Sequence, residues 1–151
     1  MEKKSLKRIG IFIAILLVAA LGFGIIHLSG MKQQSEKVVR ISWEGKEKNF
    51  AIHELTYGEV EGIRINGKGE EIPVAGKGIL LKDLLAEYEI TDYRQVKVTA
   101  IDSYWATVSS KEIQENSKVY LFLEEESLRL LVFGDKDSKR SVSGVVQITV
   151  E

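Results

Sequence analysis

Residues 79–101, ILLKDLLAEYEITDYRQVKVTAI, carry the clearest fold signal because a helix pattern is followed at once by a strand pattern. Apolar side chains recur at the i, i+3, i+4 and i+7 spacing of one helix face, which predicts a helix over residues 81–89. These apolar positions are Leu81, Leu84, Leu85 and Tyr88. The valines of residues 95–101 alternate with polar residues and predict a half-buried strand. A short helix joined directly to a strand is typical of a small α+β domain.

Short strands separated by turn signals are predicted through the rest of the chain. Asn66-Gly67 predicts a hairpin, Pro73 suits an edge strand, and Ser109-x-x-Glu112 predicts a capping box that opens a short helix. A short helical turn is expected around His53. The strand patterns begin at Val38 and continue at residues 60–66, 71–74, 105–108, 119–123, 128–133 and 146–150. These patterns predict an α+β fold in which a mixed or antiparallel sheet dominates, with short helices beside it.

The first 30 residues have the pattern of a membrane segment. Residues 9–26 carry no charge, and as a helix they would be about 27 Å long, close to the ~30 Å hydrocarbon core of a bilayer. Four cations precede them: Lys3, Lys4, Lys7 and Arg8. This charge distribution favours a cytoplasmic N-terminus and an outer C-terminal domain. We therefore predict one N-terminal transmembrane helix, that is, an uncleaved signal anchor in the cell membrane. A cleaved signal peptide is the alternative.

The chain is accordingly divided into an N-terminal membrane anchor (residues 1–30), a linker (31–37) and an extracytoplasmic domain (38–151). After residue 30 the chain keeps 17 of its 21 Lys and Arg and 21 of its 22 Asp and Glu, so the outer part carries about −4. That balance argues against a nucleic-acid partner, which requires a basic face. The chain has no cysteine, so no disulfide framework stabilises the domain.

Four segments of the outer domain form a further pattern: ILLKDLL (79–85), Asp102-Ser103-Tyr104, LRLLVFGD (128–135) and KRSVSGVVQITV (139–150). In order and spacing they resemble the molybdopterin-binding oxidoreductase family with the sulfite-oxidase-type fold. The resemblance implies that Asp102 and Tyr104 lie beside a cofactor pocket and that Arg140 and Ser141 bind the phosphate of a pterin cofactor. Asp102, Tyr104, Arg140 and Ser141 are therefore the predicted cofactor-binding residues.

Two departures from the family bear on catalysis. In that family a cysteine thiolate binds the molybdenum, and this chain has no cysteine. The closing Lys-Ser-x-Lys pattern of the family stands here as Arg140-Ser141-Val142-Ser143, so Ser143 replaces one of the two phosphate-binding cations. We therefore predict no catalytic residue and no metal site. Molybdopterin is the cofactor that the resemblance alone would imply, and we expect none to be bound.

Several local motifs have competing interpretations. Trp105 either fills the core with Tyr104 capping it, or Asp102, Tyr104, Arg140 and Ser141 line what remains of the family's pocket. Asp135-x-Asp137 is interpreted as a polar turn rather than a calcium loop, and residues 124–126 as a solvated hairpin tip. The two histidines, His27 and His53, are too few for a zinc site.

The sequence therefore predicts a membrane-anchored extracytoplasmic domain that is non-catalytic and binds a small ligand or a protein partner. The expected partners are the membrane, through the N-terminal helix, and a small molecule or a membrane redox protein. Two alternatives stay open. One is a molybdopterin-dependent oxidoreductase whose metal ligand comes from elsewhere, and the other is an assembly subunit of a membrane redox complex.

Overall fold

The computed structural model describes residues 37–115 and 117–151. The predicted anchor and all of the predicted linker except Lys37 lie outside these residues. Within them, no helix is both long and apolar enough to cross a membrane. The described chain forms ten strands, two short α-helices and one 3-10 turn.

The elements follow one another as β1 (Val38–Trp43), β2 (Lys46–Ala51), a 3-10 turn (Ile52–Glu54), β3 (Gly58–Ile65), β4 (Glu71–Leu80), α1 (Leu81–Glu87), β5 (Gln95–Ala100), β6 (Trp105–Ser109), α2 (Ser110–Glu115), β7 (Val119–Glu124), β8 (Ser127–Val132), β9 (Val142–Ser143) and β10 (Val145–Val150).

The strands form two sheets of five strands each. The first, the mixed sheet, has the order β2-β1-β10-β5-β6, in which β1 and β10 are parallel and the other pairs are antiparallel. The second, the antiparallel sheet, has the order β3-β4-β7-β8-β9. The chain passes from β9 to β10 through Gly144 alone, whose φ of 67° suits glycine. The predicted α+β class with mixed and antiparallel sheets is confirmed.

One hydrophobic core takes side chains from both sheets and from α1. On the mixed sheet, Val39 and Ile41 point inward and are fully buried, as their alternation with polar residues predicts. On α1, the face formed by Leu81, Leu84 and Leu85 is likewise fully buried. Each such leucine stabilises the fold by about 1.5–3 kcal/mol through removal of its surface from water.

Two strands differ from the expected pattern. Strand β2 was not predicted and fills the segment between β1 and the helical turn at His53, and β4 extends to Leu80 instead of ending at Val74. The extension of β4, for which no strand was predicted, contains Gly76 and Gly78. A Cβ on Gly76 would lie 2.8 Å from Cζ of Phe122. The glycine is therefore present because an aromatic ring packs directly on the strand.

Helix α1 ends earlier than predicted, at Glu87 rather than Glu89. Glu89 adopts a left-handed conformation with a φ of 58°, and the amide of Ile90 donates to the carbonyl of Leu85 at 3.0 Å. This is the hydrogen bonding of a Schellman-type helix end. It turns the chain sharply into the loop of residues 88–94 that leads to β5.

Candidate functional site

Asp102 and Tyr104 lie in the turn between β5 and β6. Oδ1 of Asp102 accepts a hydrogen bond from the amide of Tyr104 at 3.0 Å, which closes the turn locally. The hydroxyl of Tyr104 donates to the backbone carbonyl of Lys139 at 2.5 Å. The structure therefore brings the Asp102 turn against the segment that contains Arg140 and Ser141.

The guanidinium of Arg140 is bound by two carboxylates of the protein. Nε and Nη2 donate to the two oxygens of Asp135, with the Nε distance at 2.9 Å, and Nη1 donates to Oε1 of Glu112 at 2.7 Å. Hydrogen bonds from Arg140 to Asp135 raise the arginine pKa, and those to Glu112 raise it further against the opposing effect of burial. The guanidinium is consequently a permanently charged link between α2 and the segment that follows β8.

Glu112 has a double role in this link. Its Oε2 accepts from the amide of Ser109 at 3.2 Å, while Oγ of Ser109 accepts from the amide of Glu112 at 3.3 Å. The predicted capping box is thereby confirmed. Burial alone would raise the pKa of Glu112, but the hydrogen bonds from Arg140 and Ser109 outweigh it and lower this pKa below its ordinary value.

Ser141 is engaged within the protein as well. Its Oγ accepts from Nη1 of Arg129 at 3.1 Å, and Nε of Arg129 donates to Oε1 of Glu124 at 2.6 Å. Ser143, which the resemblance compares with a phosphate-binding cation, donates to Oε2 of Glu124 at 3.2 Å. The prediction of a solvated tip is therefore wrong for Glu124, because Arg129 and Ser143 bind its carboxylate.

Trp105 does not enter the core. Its side chain is 53% exposed, and Nζ of Lys97 lies 4.6 Å from the ring centroid on the outer face of the mixed sheet. The interpretation of Trp105 as a core residue is thus wrong. Its strand neighbour Ala106 takes the inward position instead.

The space beside Arg140 is small. A shallow depression of about 260 Å³ is bordered by Arg140, Asp135, Glu112, Lys118 and Phe133. Because two of its polar walls are the carboxylates that already bind Arg140, an incoming anion would meet negative charge as well as positive. Neither Asp102 nor Tyr104 borders it.

A larger cavity of about 490 Å³ lies elsewhere, in a place that the sequence did not indicate. Its aromatic walls are Trp43, Tyr88 and Tyr93. The rings of Trp43 and Tyr88 are 6.0 Å apart at their centroids, within the range of favourable aromatic contact. The remaining side chains at its border are mainly carboxylates and apolar groups: Glu44, Lys46, Glu89, Ile90, Thr91, Asp92, Val150 and Glu151.

Two tyrosines of this cavity are poor acids. Burial raises the pKa of Tyr93, partly offset by a hydrogen bond that its hydroxyl accepts from Nε2 of Gln114 at 2.8 Å. Burial also raises the pKa of Tyr88, and the nearby charges of Glu87 and Glu54 raise it further. Both rings therefore stay neutral at physiological pH and present apolar faces with hydroxyl edges.

The cavity and the predicted residues lie toward opposite ends of the mixed sheet. Val150, on the cavity wall, pairs with Val96 at the start of β5. Val145 pairs with Ala100 at the other end of β5, immediately before the Asp102 turn. The residues predicted from the resemblance and this cavity are thus two separate places. The only sequence signal for the cavity was Trp43, the last residue of an alternating strand.

Metal ligands are sparse in the part of the chain that the structure describes. No group of three or more His, Cys, Asp or Glu side chains is placed there to bind a metal ion. His53 lies exposed on the 3-10 turn. Comparison with the known protein families and with curated proteins found no match to this chain.

Proposed function

We propose that this protein is a membrane-anchored, extracytoplasmic binding domain with a sulfite-oxidase-type ancestry and without molybdenum chemistry of its own. The observation that supports the lack of molybdenum chemistry is that the guanidinium of Arg140 is already paired with carboxylates of the protein. The one cation that could replace the family's phosphate-binding lysine is already neutralised by Asp135 and Glu112. The sequence resemblance and the docking of the Asp102 turn on Lys139 support the ancestry.

The residues present do not fit a molybdopterin cofactor. A soft thiolate is what binds molybdenum in the family, and the chain has no cysteine to supply one. A pterin phosphate near Arg140 would have to displace a bidentate Asp135 and then lie beside the freed carboxylate. Ser141 and Ser143 are committed to Arg129 and Glu124. A catalytic site of the family type is therefore not part of the proposal.

The cavity between Trp43 and Tyr93 is the binding site in this proposal. Its volume of about 490 Å³ falls within the roughly 300–1,000 Å³ that small-molecule sites occupy. The walls offer aromatic faces together with carboxylates, whereas Lys46 is the one cation among the lining residues of this cavity. Such walls favour a neutral or cationic organic molecule with an apolar body over an anion.

Membrane attachment is the second half of the proposal. It is supported by the uncharged run at residues 9–26 and by the four cations before it. A domain held outside the cell beside the bilayer would present its ligand, or itself, to a membrane protein. A membrane redox complex is one such partner. If the protein is instead a subunit of that complex, it should stay bound to the other subunits in mild detergent.

The decisive experiment is the composition of the full chain purified from the membranes of its own host. We expect no stoichiometric molybdenum or tungsten by elemental analysis and no pterin fluorescence after oxidative release. Stoichiometric metal together with a pterin signal that disappears in Arg140→Ala would overturn the proposal. Recovery of the chain in the soluble fraction, with its N-terminal residues intact, would overturn the membrane attachment.

A further inference from the structure

The exposed apolar side chains of the domain are concentrated at one end of the mixed sheet. Four of the five large hydrophobic residues that the described domain exposes are Val38 (41%), Ile101 (48%), Tyr104 (47%) and Trp105 (53%). The fifth, Ile63, lies on β3 of the other sheet. Ile101, Tyr104 and Trp105 are close in the chain, and exposed apolar side chains grouped in this way are typical of an interaction surface. We refer to these four residues as the apolar rim.

The register of the strands places the apolar rim at the end where the chain enters the domain. In the mixed sheet, Arg40 lies beside Gln147, and Gln147 lies beside Thr99. Thr99 in turn pairs with Trp105. Val38, two residues before Arg40, is therefore level with the turn that carries Ile101 and Tyr104. The cavity at Trp43 lies toward the opposite end.

From these positions we propose that the apolar rim rests on the lipid surface of the membrane that holds the N-terminal segment. The inference rests on the proposed membrane attachment. Residues 27–36 join the uncharged run to the described domain, and even fully extended they span at most about 36 Å. The tether therefore keeps the rim at a high local concentration next to the bilayer, so that weak contacts suffice for docking.

The side chains of the rim are of the kind that membrane interfaces select. Tryptophan and tyrosine rings are enriched at the level of the lipid headgroups. Nζ of Lys97 lies over the Trp105 ring, and Lys139, whose carbonyl binds Tyr104, has a side chain that is 83% exposed. Long cationic side chains at such a border can reach the phosphates while their stems cover apolar surface.

The charged residues near the apolar rim determine which kind of lipid the rim prefers. The cations Lys97 and Lys139 are balanced by Asp102 and Asp137. Lys37, the residue before β1, pairs with Glu126 of the β7–β8 turn at 2.7 Å, so this acidic turn lies at the same end. Without an excess of cations, attraction to anionic lipid is weak. The rim therefore docks on zwitterionic phosphatidylcholine through its aromatics, and docking persists at high salt.

The chain offers its own probes, since its two tryptophans, Trp43 and Trp105, lie toward opposite ends of one sheet. The full chain is reconstituted into phosphatidylcholine vesicles, and flotation first measures whether it is held by the membrane. Fluorescence is then compared between ordinary lipid and lipid brominated near the headgroup end of its acyl chains, because bromine quenches only tryptophans that it contacts.

We expect brominated lipid to remove up to about half of the wild-type emission, the share of one of two tryptophans, and to leave Trp105→Phe unchanged. Trp43→Phe, the matched control, should keep the quenching. The difference in quenched fluorescence between the wild type and Trp105→Phe gives the contribution of Trp105, even if Trp43→Phe does not fold.

Flotation without quenching would overturn the docking while leaving the anchor intact. If Trp105 were also shielded from acrylamide, the rim would be covered by a second copy or another protein instead of lipid. Failure to float would contradict the proposed membrane attachment itself.

Discussion

Arg140 donates through Nη1 to Oε1 of Glu112 at 2.7 Å, and this ion pair fastens the segment after β8 to the first turn of α2. The same arginine binds both oxygens of Asp135. The residue that the sequence resemblance assigns to a cofactor phosphate thus contributes to the architecture of the domain. Glu112 holds the loop from Phe133 to Ser141 against α2, while Asp135 binds Arg140 from within that loop.

Replacement of Arg140 by alanine should lower the free energy of unfolding by about 2 kcal/mol, because hydrogen bonds to charged groups are lost and two carboxylates are left without their cation. Arg140→Lys should recover only part of this, since lysine cannot form the bidentate contact with Asp135. Lys139→Ala is the matched control: its side chain is 83% exposed, and we expect a change within about 0.5 kcal/mol. Urea denaturation measures all three, and equal effects at both positions would contradict the structural role.

Gly76 should be intolerant of any side chain. A Cβ there would lie 2.8 Å from Cζ of Phe122, so Gly76→Ala should destabilise the protein by about 1–3 kcal/mol through displacement of the ring or the strand. Gly58 lies on the paired strand β3 with nothing within 4 Å of its Cβ position, and Gly58→Ala should be neutral or stabilising by up to about 1 kcal/mol. Adding Phe122→Leu to Gly76→Ala should restore part of the loss. Thermal unfolding that ranks the two alanine variants equally would refute the packing argument.

Tyr57 should make stability depend on alkaline pH. Burial raises the pKa of its phenol to about 12, and the hydroxyl donates to the carbonyl of Ile52 at 2.6 Å. A folded-state pKa above the unfolded value of 10.0 means that the contribution is fully present below pH 10 and is lost as the pH rises toward 12. Tyr57→Phe should therefore be less stable than wild type near neutral pH but lose less stability across this range. Urea denaturation at a series of pH values tests this, and parallel losses in both proteins would contradict it.

Filling the cavity should abolish ligand binding without unfolding the domain. Thr91 borders the cavity and is exposed, so Thr91→Trp places an indole in the space while leaving the core untouched. We expect native mass spectrometry of the full chain from host membranes to show a small-molecule adduct on wild type that Thr91→Trp lacks. Lys111→Trp, on the exposed side of α2, should keep the adduct. An adduct that survives Thr91→Trp would place the ligand elsewhere.

The spacing of apolar residues predicted those helices and strands that bury one face in the core. The leucines of α1 and the valines of β5 point to the core because each pattern has one buried face. Strand β2 escaped prediction because its inward face begins with Lys46 and Lys48 and becomes apolar only at Phe50. Lys48 can face inward because it lies at the open end of the core, where its ammonium is 5.3 Å from the Tyr88 ring centroid.

The candidate sites depend on contacts that no local pattern encodes. Glu112 and Arg140 are 28 residues apart, and nothing in either neighbourhood indicates that one would bind the other. The cavity is similarly assembled from the β1–β2 turn, the loop after α1 and the end of β10. The resemblance assigned Asp102, Tyr104, Arg140 and Ser141 to one cofactor pocket, which stays a prediction. It gave no sign that Arg140 would be bound by the carboxylates of Asp135 and Glu112.

The side-by-side alignment of β1 with β10 has a consequence for how the domain acquires its structure. Strand β1 is the first strand of the described domain and β10 is the last, yet they are direct neighbours in the mixed sheet. Such remote sequence partners require closure of almost the entire polypeptide loop before the central hydrogen bonds can form. The mixed sheet is therefore incomplete until its last strand docks, and we expect the domain to fold more slowly than one built from local contacts.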